Sequence, residues 1–136
     1  MKIDQEYLKG LLIAFEDSNA PHTSITRLLA LGFDHRTNEF RFHIRLLQDR
    51  GLIARVDGKD GIGYSSPASD GQDDEFFFDE VPLRLTASGH DFLKTIRSKE
   101  VWATLKTGFK DASIGTLVKV SKDLFNRALT RWFRHK

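Results

Sequence analysis

A chain of 136 residues and 15.6 kDa has the length of one domain, and 40% hydrophobic with 29% charged residues is an ordinary soluble composition. The absence of cysteine excludes a disulfide scaffold, cysteine-ligated zinc, iron–sulfur clusters and a thiol nucleophile. No run approaches the ~18 apolar residues of a spanning helix, and Met1-Lys2-Ile3-Asp4-Gln5-Glu6 lacks the apolar core of a signal peptide, so a cytoplasmic protein is expected.

The net charge of +2 conceals an uneven distribution. Residues 1–60 are balanced, residues 61–100 carry −4 and residues 101–136 carry +6. A polyanion is drawn to the last quarter and repelled by the middle.

In chain order, Asp4 caps a first helix whose apolar stripe is Tyr7, Leu8, Leu11, Leu12 and Phe15, running to about Glu16. Ser18-Asn19-Ala20-Pro21 ends it. Thr23 or Ser24 caps a short second helix with Ile25, Leu28, Leu29 and Leu31, closed by Gly32. A third helix starts at Asp34 or Thr37 and stops at Gly51. Its apolar members are Phe40, Phe42, Ile44, Leu46 and Leu47, with His43 among them. Arg41, Arg45 and Gln48, spaced by four and three, share the face opposite Phe40, Ile44 and Leu47.

Leu52-Ile53-Ala54-Arg55-Val56 reads as a strand, followed by turn chemistry at residues 57–61. A long acidic segment, about residues 58–80, leads to a second strand, Val81-Pro82-Leu83-Arg84-Leu85, antiparallel to the first. Phe76-Phe77-Phe78 is a candidate third strand or folds back onto the body. Thr86 caps a fourth helix with Phe92, Leu93 and Ile96 inward, and a helical stretch continues or restarts from Lys99. From Ser113 a long last helix carries Ile114, Leu117, Val118, Leu124, Phe125, Ala128, Leu129 and Trp132 on one side. Its other side carries Lys119, Lys122, Arg127, Arg131 and Arg134.

Three helices and then a two-stranded ribbon, the third helix running straight into the first strand, is the winged helix-turn-helix order. The expected fold is therefore mainly α (α+β): a winged helix-turn-helix over residues 1–98 with a two- or three-stranded wing, and a basic, amphipathic helical extension over residues 99–136. The specific junctions are Gln48-Asp49-Arg50-Gly51-Leu52-Ile53 and Leu85-Thr86-Ala87-Ser88-Gly89-His90-Asp91-Phe92-Leu93.

Several of these residues carry a family resemblance. Met1-Lys2-Ile3-Asp4, Phe42-His43-Ile44-Arg45-Leu46-Leu47, Gly51-Leu52-Ile53, Leu85-Thr86 with Gly89-His90-Asp91-Phe92-Leu93, Ile96-Arg97 and the trailing Trp102 together resemble the DUF2513 family over roughly residues 1–130. The resemblance implies a winged-helix-like fold and a bacterial or phage/prophage setting. It implies no activity.

The third helix is the nucleic-acid candidate, since in a winged helix this element enters a major groove. Arg41 and Arg45 suit phosphate or guanine, Asn38 and Gln48 suit adenine edges, and Arg36 and Thr37 at its start suit phosphates. Read blandly, the same residues are the solvated face that any surface helix needs, and Glu39 and Asp49 dilute its basic character. The acidic wing is a poor partner for DNA: Asp57, Asp60, Asp70, Asp73, Asp74, Glu75, Asp79 and Glu80 are opposed only by Lys59. It points away from DNA, guards the site, or docks on a basic surface such as the last helix.

For that last helix, Leu117, Leu124, Phe125, Leu129 and Trp132 are the candidate dimer or docking row. The alternatives are packing on its own domain or lying on an anionic membrane, the membrane being the least favoured. His43 and His90 are expected to be packed, structural side chains. Neither the remaining histidines nor Asp70–Glu75 has metal-ligand spacing, and Gly58–Gly63 lacks the ending of a phosphate loop. With no catalytic constellation, cofactor or metal expected, the favoured function is a non-enzymatic, sequence-specific regulator binding double-stranded DNA as a homodimer. The alternative is a protein-interaction module on the same scaffold.

Overall fold

A computed structural model of the chain describes residues 1–65 and 77–134. It is mainly helical with a small antiparallel sheet. The order is α1 (Gln5–Glu16), α2 (Ile25–Ala30), α3 (Asn38–Asp49), β1 (Ile53–Arg55), β2 (Tyr64–Ser65), β3 (Phe77–Phe78), β4 (Leu83–Leu85), α4 (Ala87–Ile96), α5 (Lys99–Gly108) and α6 (Ile114–Arg134).

Side-chain caps set most helix starts. Asp4, Ser24, Thr37, Thr86 and Ser98 each accept a hydrogen bond from a backbone N–H three residues on, satisfying a donor that the first turn leaves open. Two of the stops share one geometry. Beyond α3, Gly51 sits at φ +70°, its N–H donating to Gln48 O at 2.9 Å and that of Leu52 to Leu47 O at 2.8 Å. Gly32 closes α2 in the same way, with bonds from Gly32 N to Leu29 O and from Phe33 N to Leu28 O. Only glycine takes this left-handed turn without penalty, and it redirects the chain within two residues.

The core is continuous. Leu8, Leu11 and Leu12 of α1, Leu28 of α2, and Phe40, Ile44 and Leu47 of α3 meet Leu52, Leu83, Leu93 and Ile96. Each such buried side chain stabilises the fold by about 1.5–3 kcal/mol. The core does not stop at residue 98, because Val101, Leu105 and Leu117 belong to the same cluster. Gln5 pins α5 to α1 by donating to Leu105 O and Phe109 O. Thr95 of α4 and Ser121 of α6, both buried, share a hydroxyl hydrogen bond of 3.1 Å where the two helices cross.

β1 and β4 pair antiparallel in the register Ile53↔Leu85, Ala54↔Arg84, Arg55↔Leu83. A third segment joins them on the far edge of β4. Thr23, between α1 and α2, exchanges bonds of 2.7 and 2.8 Å with Leu83. The aromatic run does not extend this sheet; β3 instead pairs with β2 as a separate ladder. Two smaller expectations are corrected. Leu31 lies past the end of α2 and is 59% exposed. His90 lies on the exposed face of α4, because the buried positions of that helix are Gly89, Phe92, Leu93, Thr95 and Ile96. Of the two readings of the stretch after residue 98, a continued or a restarted helix, the structure has the restart, under its own Ser98 cap. Asp70, Asp73, Asp74 and Glu75 lie outside the described residues, and with them most of the expected docking of the acidic segment on the last helix.

Candidate nucleic-acid interface

The two sides of α3 differ as its spacing predicts. Phe40, His43, Ile44 and Leu47 are buried, while Asn38 and Arg45 are exposed and Arg41 and Gln48 half-buried. Positions 38, 41, 45 and 48 follow a 3, 4, 3 spacing and form one outward row. Arg41 donates from Nη2 to Asn38 Oδ1, so the two are held as a unit.

The residues before the helix are committed differently. The Arg36 guanidinium forks onto the Asp34 carboxylate through two bonds of 2.9 Å, and the Arg36 N–H donates to the same carboxylate. These contacts hold the Asp34 carboxyl down at about 2, the Arg36 side-chain bond being the main cause. Thr37 Oγ1 donates to Asp34 O at 2.8 Å and accepts from Phe40 N at 3.1 Å. Both residues thus build the entry to α3, and Thr37 is occupied as its cap.

His43 fixes the depth of α3 against α1. Its ring is 1% exposed, with Nδ1 2.7 Å from Glu39 O and Nε2 2.9 Å from the Asp4 backbone nitrogen. Because the Asp4 N–H is a donor, Nε2 accepts, and the Nδ1–H tautomer donates to Glu39 O. Tyr7 packs on the ring at a centroid distance of 4.8 Å. Burial, reinforced by the nearby Glu39 and Asp34 charges, pushes the Tyr7 hydroxyl up to about 12.

On the ribbon, Arg55 is paired with Asp57 (2.7 Å). Glu80 reaches back to α2, its carboxylate accepting from Thr26 Oγ1 at 2.5 Å, and the contacts with Thr26 and Ser24 hold its carboxyl below the ordinary range. Sequence reading missed this tie; the acidic run gave no hint that one of its members bonds to the start of α2.

The candidate docking row on α6 is split by the structure. Leu117 is 2% exposed and belongs to the chain's own core, while Leu124 and Phe125 pack partly against that core. Past them the apolar side of the helix is left uncovered, and Leu129 and Trp132 are 41% and 52% exposed, with Phe133 more so. Two grooves flank it. One, against α4, is lined by Phe92, Val118 and Phe125 among others. The other, against α5, is lined by Arg127, Arg131 and Arg134 with Thr104, Asn126 and Thr130. Among the described residues no helix is long and apolar enough to cross a membrane, and no cluster suits a metal ion.

A family model described as "Hypothetical protein (DUF2513)" matches residues 2–115, ending in the first turn of α6. The chain is also 29% identical over 136 residues to an "Uncharacterized protein" of Haemophilus influenzae (strain ATCC 51907 / DSM 11121 / KW20 / Rd), an alignment spanning 95% of this chain and 99% of that relative. No solved structure matches.

Proposed function

We propose that this chain, which belongs to the DUF2513 family, is a winged helix-turn-helix regulator that binds double-stranded DNA with α3 in the major groove. The observation that carries the reading is the outward row of α3, where Asn38, Arg41, Arg45 and Gln48 share one side of a helix anchored on the other by Phe40, His43, Ile44 and Leu47. These residue types fit base edges and phosphates. The chain order α1, Thr23 bridge, α2, α3, β1, β4 supports the same reading. So does the lateral order Thr23–β4–β1 in the sheet, because a winged helix pairs a short segment before its second helix with the returning strand. The ribbon stays off the DNA in this reading, since Asp57, Asp60, Asp79 and Glu80 would be repelled by phosphate.

Fluorescence anisotropy with a mixed-sequence duplex tests it. The wild type should bind at low salt, and the Arg41→Ala/Arg45→Ala variant should lose about 30-fold or more in affinity, two lost contacts costing at least ~1 kcal/mol each. Equal affinities would overturn the placement of α3, and no wild-type binding would overturn DNA as the ligand.

A second copy is part of this reading, covering the exposed end of α6 at Leu129 and Trp132. Light scattering should give a dimer that the Leu129→Asp/Trp132→Asp variant converts to monomer. The melting temperature should hold within a few degrees, because neither residue belongs to the core. A monomeric wild type would remove the dimer and leave the role of α3 untouched.

A further inference from the structure

We infer that the groove between α5 and the second half of α6 is a separate contact for the DNA backbone, in which Arg127, Arg131 and Arg134 grip successive phosphates of one strand away from the bases that α3 reads. The inference rests on the DNA reading above and adds a second site to it.

The groove has a volume of about 560 Å³. Its wall carries the three arginines, spaced by four and three so that they form a single row. Asn126 supplies a neutral amide donor of the kind that accompanies phosphate contacts, while the Thr104 and Thr130 hydroxyls donate to Glu100 O and Asn126 O within their own helices. The one acid in the lining, Glu100, accepts a bond from Arg131 Nη2. That bond uses one of the five guanidinium N–H donors and fixes the middle of the row to α5, leaving donors on Arg131 to take a phosphate. Arg127 and Arg134 have no ion-pair partner among the described residues.

Helical geometry matches the row to a strand. Seven residues at 1.5 Å each place Arg127 and Arg134 about 10 Å apart along the axis. One DNA strand presents a phosphate every ~3.4 Å of axis, so the row spans about three of them. At 100° per residue the arginines lie roughly opposite Leu129 and Trp132, so a second copy seated on the apolar row leaves the arginine row open. The start of α6 also lies beside the end of α3. The Arg50 guanidinium, at the end of α3, lies 3.7 Å from where a Cβ on Gly115 would stand, and buried Leu117 and Ser121 fasten α6 behind it. Arg127 comes twelve residues after Gly115, about 18 Å further along the helix. That length along α6 is about half of one DNA turn.

The test is the salt dependence of anisotropy titrations on a mixed-sequence 30-base-pair duplex between 50 and 200 mM salt. The wild type is compared with Arg127→Gln/Arg131→Gln/Arg134→Gln and with a control that removes equal charge elsewhere, Lys2→Gln/Lys59→Gln/Lys110→Gln. Three released phosphate contacts should make the slope of log K against log salt shallower by about 2–3 in the arginine variant. The control should move it by less than ~1, and both should melt near the wild-type temperature. A slope within ~0.5 of wild type in the arginine variant would overturn the inference while leaving the α3 reading standing, as would an equal change in the control. Failure of the wild type to bind at 50 mM would overturn both.

Discussion

Replacing Gly89 with alanine is expected to destabilise the protein by about 3 kcal/mol or more, lowering its melting temperature by roughly 10 °C. Helix propensity alone argues the other way, because exchanging a helical glycine for alanine ordinarily gains up to ~1 kcal/mol. Contact decides the sign. A Cβ on Gly89 would stand 2.1 Å from Leu52 O and 3.1 Å from Leu85 Cδ2. The carbonyl cannot swing aside cheaply, since it accepts from Thr86 N at 3.0 Å. Thr86 Oγ1 in turn donates to Gly51 O at 2.5 Å and accepts from Gly89 N at 3.1 Å. To admit one methyl group, the first turn of α4 must back away from the start of β1 and loosen all three bonds. Gly108→Ala is the matching control: its Cβ meets nothing within 4 Å, so it should leave stability unchanged or slightly raised. Urea denaturation of the two variants measures both. An unchanged midpoint for Gly89→Ala would mean that α4 is not seated on Leu52.

The second large effect is expected at His43→Phe, a loss of about 2 kcal/mol. Phenylalanine preserves a flat ring against Tyr7 and Phe42, whose centroids lie 4.8 and 5.1 Å from the His43 ring. It removes both polar contacts, leaving the Asp4 N–H without its acceptor and Glu39 O without the ring donor. Leaving such a group unmade inside the fold costs ~1–3 kcal/mol, more than the gain from a more apolar ring at a site already this well packed. Asp4 is the cap of α1, so the loss falls on the seam that sets α3 against α1. Chemical denaturation should show a lower midpoint with an unchanged slope. An equal or higher midpoint would show that ring packing alone holds the seam.

The periodicity of α3 was legible because it follows from a repeat: apolar residues at 40, 44 and 47 leave 41, 45 and 48 outward, and the structure keeps that division. The start and stop residues were equally readable, Asp4 and Thr86 as side-chain acceptors and Gly51 as a left-handed turn. What escaped has no period. The Thr23–Leu83 bridge is a single residue pair sixty positions apart, too short to leave an alternation in the sequence. His90, near Phe92 and Leu93, reads as packed, yet adjacent helical positions differ by about 100° and the core takes Gly89 instead. The row on α6 was correctly apolar throughout, but periodicity fixes a face and does not say where the surface beneath it ends. Leu117 and Trp132 share that face and have opposite surroundings. In the candidate site, Thr37 and Arg36 read as phosphate donors, and their engagement with Asp34 and the α3 backbone is a matter of local geometry that no spacing announces.

The β2–β3 ladder has a consequence for how this chain tolerates change in length. Ser65 stands directly across from Phe77, so β2 and β3 hold positions 65 and 77 side by side. Insertions between residues 66 and 76 should therefore be absorbed without disturbing α3, α4 or the sheet, so a tag or a fluorophore can be grafted there to report on the protein while the rest of the molecule keeps its register.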